Sequence, residues 1–164
     1  MDYNQEQPTL EMTLYTILSS RHEKVSVAES CTGGLVSATI INVPGASSII
    51  DEAFITYANE AKMKRLNVLK DTLETDGAVS LQCVKEMAEN LHKLTLSDLN
   101  ISISGIAGPT GGSLDKPVGT VWFGYYYHNR FFSFKNIFEG DRMAVRLQAT
   151  KYALFKAIEI LKNY

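Results

Sequence analysis

Strand-like and helical stretches alternate along this chain of 164 residues, and that order limits the fold more than any single motif does. Val25–Ala28 reads as a short buried strand that runs through Ser30 and Cys31 into Thr32-Gly33-Gly34. A helix follows, predicted from Thr32 to about Ile41. Ahead of the strand, Leu10, Leu14, Ile17 and Leu18 recur at helical spacing between Thr9 and about Arg21. Pro44-Gly45-Ala46-Ser47 reads as a loop and residues 54–58 as the next strand. Asn59 is placed to cap a helix that ends near Leu66, and Ser80 to cap another with Val84, Met87, Ala88 and Leu91 inward. Residues 99–108 alternate and then open into a glycine-rich loop. Two further strands meet at His128-Asn129-Arg130, a polar, turn-forming centre that predicts a hairpin. A closing helix from Asp141 to about Lys162 carries Val145, Ala149, Leu154, Ile158 and Leu161. Helices before and between strands, together with one hairpin, predict an α/β domain over residues 1–164 with a mixed sheet covered on both faces.

The charge balance excludes several partners. Sixteen basic against eighteen acidic side chains leave a formal charge of −2, so no general attraction to nucleic acid or to an anionic membrane is expected. No apolar run approaches the roughly 20 residues that span a bilayer. The polar, acidic start of the chain is unlike a secretory signal or transit peptide. The two cysteines, Cys31 and Cys83, form no C-x-x-C pair, and a reducing cytoplasm is the expected compartment. The three histidines, His22, His92 and His128, have no second ligand at metal spacing, so no metal and no cofactor is expected. Tyr125, Tyr127 and Phe131 on the hairpin strands suit either the core or the contact of a homo-oligomer.

Three loops carry residues suited to chemistry. In the first, Ser30 and Cys31 stand at a strand end, and Thr32, Gly33 and Gly34 at a helix start. Free backbone N–H groups there suit an oxyanion beside a nucleophile, or a phosphate; an ordinary strand–helix turn has the same pattern. A thiol at a helix N-terminus has a lowered pKa, which makes Cys31 a rival to Ser30 as nucleophile. In the second, Lys62 falls in the first turn of a helix, where the dipole disfavours a cation. Burial would push it further toward the neutral form that a general base needs, with Tyr57 relaying protons; a solvated lysine beside a core tyrosine is the alternative. The third loop, Ser104 to Gly112, offers close backbone approach at Gly108, Gly111 and Gly112, and matches neither phosphate-binding glycine fingerprint. Arg142 and Arg146, one helical turn apart, present two guanidinium groups on one face, for a phosphate or for solvent.

The stretches AESCTGG, PGAS, YANEAK, GAVS, SGIAGPTGG and KPVGTVWF resemble the signature blocks of the CinA C-terminal family, in the same order and with similar spacing from about Val25 to Arg146. Its characterised members are nicotinamide-nucleotide amidohydrolases. The resemblance implies a three-layer α/β/α fold and hydrolysis of the carboxamide of nicotinamide mononucleotide to nicotinate mononucleotide and ammonia. It implies Ser30 as nucleophile with Tyr57 and Lys62 assisting, and ranks Cys31 below Ser30. The remaining positions, Cys31, Thr32, Gly33, Gly34, Asn59, Ser104, Gly108, Gly111, Gly112, Arg142 and Arg146, are expected to hold the substrate. Larger members carry an N-terminal molybdopterin-binding-like domain, and this sequence resembles the stand-alone form. It departs from relatives at DEAFIT, where they often have glycines, and at SLD before Lys116. A pyridine-nucleotide-binding or regulatory module without turnover, or an amidase for another nucleotide amide, competes with this reading.

Overall fold

The computed structural model describes residues 8–164; the polar start of the chain lies outside them. Five strands form one sheet in the order β2-β1-β3-β4-β5. β1 (Val25–Glu29) lies parallel to β2 (Ile50–Ile55) and to β3 (Leu99–Gly105). β4 (Thr120–Tyr127) and β5 (Arg130–Ile137) add antiparallel strands beyond β3. On one face lie α1 (Leu10–Arg21), α2 (Leu35–Ile41) and α6 (Arg142–Asn163), packed over Val25, Val27, Ile101, Ile103, Phe123 and Tyr125. On the other lie α3 (Asn59–Leu66), α4 (Lys70–Thr75) and α5 (Leu81–Thr95), around Ala28, Leu66, Val68, Cys83, Met87 and Leu91. This is a three-layer α/β/α arrangement with a mixed sheet. Alternation along β1 explains the division, since Val25 and Val27 face one layer and Ala28 the other.

α5 sits unusually close to the sheet. Ser102 Oγ donates to the Val84 carbonyl at 2.6 Å, and a Cβ at Gly124 would lie 2.6 Å from that same oxygen. Gly124→Ala must push helix and sheet apart and is expected to lower the unfolding free energy by about 1–3 kcal/mol. Chemical denaturation measures this; an unchanged midpoint would mean that the layers have slack.

Several boundaries differ from the sequence expectation, each for a physical reason. α2 begins at Leu35 rather than Thr32, because Gly33 and Gly34 both take positive φ values of 59° and 96°, which no α-helix accommodates. β2 begins at Ile50 and ends at Ile55, so Tyr57 lies beyond the strand. Asp51 and Glu52 on this edge strand conceal the strand signal. Ala58, not Asn59, holds the N-cap position of α3, with no side-chain cap bond. α4 has no sequence signature of its own. It is fastened by Glu86 of α5, which accepts from the Leu69 amide at 2.8 Å and from Thr72 Oγ1 at 2.6 Å. The β4–β5 turn contains only His128 and Asn129, both left-handed, and Arg130 already belongs to β5. Tyr125 and Tyr127 are fully buried, which settles them as core and removes them as an oligomer contact.

Candidate active site

A cavity of about 260 Å³ opens where β1 and β3 end, the edge of an α/β sheet where ligands usually bind. Two of its walls come directly from those strand ends: Ser30 follows β1, and Ser104 and Gly105 are the last residues of β3.

The Ser30 turn is shaped by the residue before it. Glu29 is fully buried, and its carboxylate accepts from the amides of Gly34 at 2.9 Å, Val36 at 3.1 Å and Ser37 at 2.9 Å. It also accepts from Ser37 Oγ at 2.8 Å. The positive end of α2 is thus occupied by an internal anion. The Gly33 amide is bonded to the Ser30 carbonyl at 3.0 Å. Gly33 and Gly34 therefore have no N–H to offer a ligand, contrary to the sequence expectation. Among the described residues no backbone oxygen accepts from the amides of Cys31 and Thr32; both lie against the Cys31 thiol.

Lys62 is 1% exposed. Its amine contacts three oxygens: the Thr56 carbonyl at 2.9 Å, the Tyr57 carbonyl at 3.2 Å and Ser30 Oγ at 3.1 Å. Carbonyls only accept, so they take two N–H bonds. A neutral amine then has one lone pair left, and it faces Ser30 Oγ. Burial pushes the Lys62 amine below its ordinary value near 10.5 because desolvation penalises the charged form. The Tyr57 side chain stands elsewhere. It is 56% exposed, its hydroxyl accepts from Arg142 Nη2, and only its backbone carbonyl touches the Lys62 amine. The expected proton relay through the phenol is not formed.

Cys31 is also placed differently from its expectation. No helix begins beside it, and burial pushes its thiol up to about 12. The adjacent Cys31 and Thr32 amides offset this only in part. It lines the cavity as a neutral, small group.

The two arginines of α6 diverge. Arg142 lines the cavity and donates to the Gly108 carbonyl at 2.8 Å. Arg146 does not line it; its guanidinium donates to the Cys31 carbonyl at 3.0 Å and the Thr32 carbonyl at 2.8 Å. Of the other expected residues, Asn59, Ser104, Gly108 and Gly111 line the cavity, whereas Thr32, Gly33, Gly34 and Gly112 do not. Gly105, Ile106, Ala107 and Thr110 of the third loop line it as well, and Ala78 and Val79 line it unforeseen. Ala78 and Val79 belong to GAVS, a family-like block that reaches the wall through the α4–α5 connection.

The sequence profile of the CinA C-terminal domain matches residues 7–161. The chain belongs to the CinA C-terminal domain family. A CinA-like protein of Petrotoga mobilis is 46% identical over 155 residues, covering 94% of this chain and 38% of its own length. One from Thermotoga maritima is 42% identical over 161 residues, covering 98% of this chain and 39% of its own. The chain thus spans less than two fifths of the length of these curated relatives. Among solved structures, a CinA-superfamily protein of Klebsiella pneumoniae superposes with a TM-score of 0.91 at 35% identity, covering 94% of this chain and 97% of that one. A competence/damage-inducible protein of Agrobacterium tumefaciens gives a TM-score of 0.87 at 33% identity, covering 97% and 99%.

The CinA fold of this chain keeps its histidines away from the cavity. His22 caps the end of α1, His92 contacts the Ser97 carbonyl at 3.0 Å, and His128 approaches Glu23 at 3.4 Å. Among the described residues no group of three or more His, Cys, Asp or Glu side chains is arranged to hold a metal ion. No described helix is long and apolar enough to cross a membrane.

Proposed function

We propose that this chain is a serine amidohydrolase that converts nicotinamide mononucleotide to nicotinate mononucleotide and ammonia. The observation that carries the reading is the Lys62 amine, buried, bonded to two carbonyls and 3.1 Å from Ser30 Oγ. A non-catalytic nucleotide binder gains nothing from such a costly placement. Membership of the CinA family supports the substrate.

In this reading Lys62 takes the proton of Ser30 as Oγ bonds to the carboxamide carbon. The carbonyl oxygen becomes an oxyanion facing the amides of Cys31 and Thr32, which no backbone oxygen holds and which turn to it from the weak thiol acceptor of Cys31. The C–N bond breaks, and the nitrogen leaves as ammonia with the proton held by Lys62. Water then attacks the ester, Lys62 receives its proton, and Ser30 is restored. Arg142 and the Tyr57 hydroxyl, bonded to one another at the cavity wall, serve the substrate phosphate. Arg142 offers charge, and Tyr57, which accepts from Arg142, keeps its own O–H free to donate.

Arg142→Ala is expected to raise KM for nicotinamide mononucleotide about 10-fold or more, the cost of losing a charge-assisted bond, with kcat nearly unchanged. Nicotinamide riboside, which has no phosphate, should be affected little. Equal losses for both substrates would move the phosphate site elsewhere.

The function itself is tested by ammonia release from a panel containing nicotinamide mononucleotide, nicotinamide riboside, nicotinamide and unrelated amides. Turnover of the mononucleotide above the others, unaffected by chelator, is expected. Binding without ammonia release would leave a nucleotide-binding module, and preference for another amide would reassign the substrate.

A further inference from the structure

Two charged side chains hold the backbone of the Ser30 turn and of the helix start after it without lining the cavity. Glu29 holds the amides of residues 34, 36 and 37. Arg146 holds the carbonyls of residues 31 and 32. The fork of Arg146 fits closely, since a Cβ at Gly33 would lie 3.2 Å from Arg146 Nη2. Arg146 has no carboxylate partner among the described residues, so its cation is devoted to one turn of backbone. A peptide plane whose carbonyl is fixed also has its N–H direction fixed, because the six atoms are coplanar. Holding the Cys31 carbonyl orients the Thr32 amide, which shares that plane. Holding the Thr32 carbonyl orients the Gly33 amide toward the Ser30 carbonyl, and this closes the turn.

We infer that Arg146 is a positioning residue, which together with Glu29 clamps the nucleophile turn so that the Cys31 and Thr32 amides face the oxygen that becomes negatively charged at Ser30. This rests on the serine amidohydrolase reading. Arg146 and Arg142 thus divide two tasks that their spacing on one helix face would otherwise merge. Arg142 binds substrate and is felt in KM. Arg146 organises the transition-state donors and is felt in kcat.

The test is the rate at which a fluorophosphonate phosphonylates Ser30, followed by peptide mass in wild type, Arg146→Ala and Arg146→Lys. In that reaction Oγ bonds to phosphorus, fluoride leaves, and the serine proton passes to Lys62. It needs the same nucleophile and oxyanion donors as the amide and does not depend on the natural substrate. Labelling is expected to slow roughly 10- to 100-fold in Arg146→Ala, the cost of misplacing one preorganised donor, and to recover in part on adding millimolar guanidinium. Arg146→Lys, which keeps the charge and loses the fork, should fall between. With nicotinamide mononucleotide the loss should appear in kcat, with KM within about threefold. Labelling of Arg146→Ala at the wild-type rate, or a loss that guanidinium does not relieve and that parallels a lowered unfolding midpoint, would overturn the clamp. No labelling of wild-type Ser30 would instead overturn the nucleophile assignment on which the clamp rests.

Discussion

Lys62→Met is expected to leave a folded protein whose ammonia release is reduced by at least about 10³-fold, within the range assigned to a general base that also orients its nucleophile. Methionine nearly matches the lysine stem, and the side chain is buried near Cys83, so packing should survive. Two carbonyl acceptors, those of Thr56 and Tyr57, lose their donor, at a cost of a few kcal/mol offset by no longer burying an amine. Lys62→Arg should be about as inactive even though it keeps the charge, because guanidinium does not release its proton near neutrality. The pH dependence follows the same logic. Protonated Lys62 cannot accept from Ser30, so kcat/KM should fall on the acid side through the pKa of Lys62. That pKa lies below the ordinary 10.5 because of burial. The same shift makes the unfolded chain the stronger proton binder at this site. Its contribution to stability should therefore rise with pH from the folded pKa toward the unfolded one. Activity in Lys62→Arg at a tenth of wild type would remove the base assignment.

Ser30→Ala is the second large effect. Loss of one hydroxyl from a site 8% exposed disturbs little packing, yet it should reduce turnover by on the order of 10⁴-fold or more, as removal of a covalent nucleophile does. Cys31→Ala separates the neighbours. A thiol pushed up to about 12 supplies almost no thiolate near neutrality, so this variant should stay within about 10-fold of wild type. If Cys31→Ala were dead and Ser30→Ala active, the two roles would exchange.

The parts of the site that were legible in the sequence were those set by local rules. A strand ending in small polar residues and glycines announced a corner, and a lysine in the first turn of a helix announced a cation in an unfavourable field. Both proved to meet in one cavity. The rest depended on partners far along the chain. Nothing near residue 30 indicates that Arg146 of the last helix holds its turn, or that the carboxylate of Glu29 would turn back onto α2 and take the Gly34 amide, one of those expected to be free. That carboxylate, and two left-handed glycines, moved the helix start by three residues and with it removed the dipole invoked for Cys31. The apolar neighbours of Tyr57 suggest a strand, but β2 ends at Ile55. Its phenol therefore meets Arg142 from α6 instead of the lysine five residues on. The mixed sheet covered on both faces, by contrast, follows from element order and alternation, because neither needs a distant contact to be read.

The claim on which the others depend is that Lys62 is neutral while Ser30 is attacking, and ¹⁵Nζ NMR titration of Lys62 measures it directly. The expected result is a deprotonation midpoint below 10.5 that coincides with the acid limb of kcat/KM for ammonia release. An amine that stays charged throughout the range in which activity rises would contradict it.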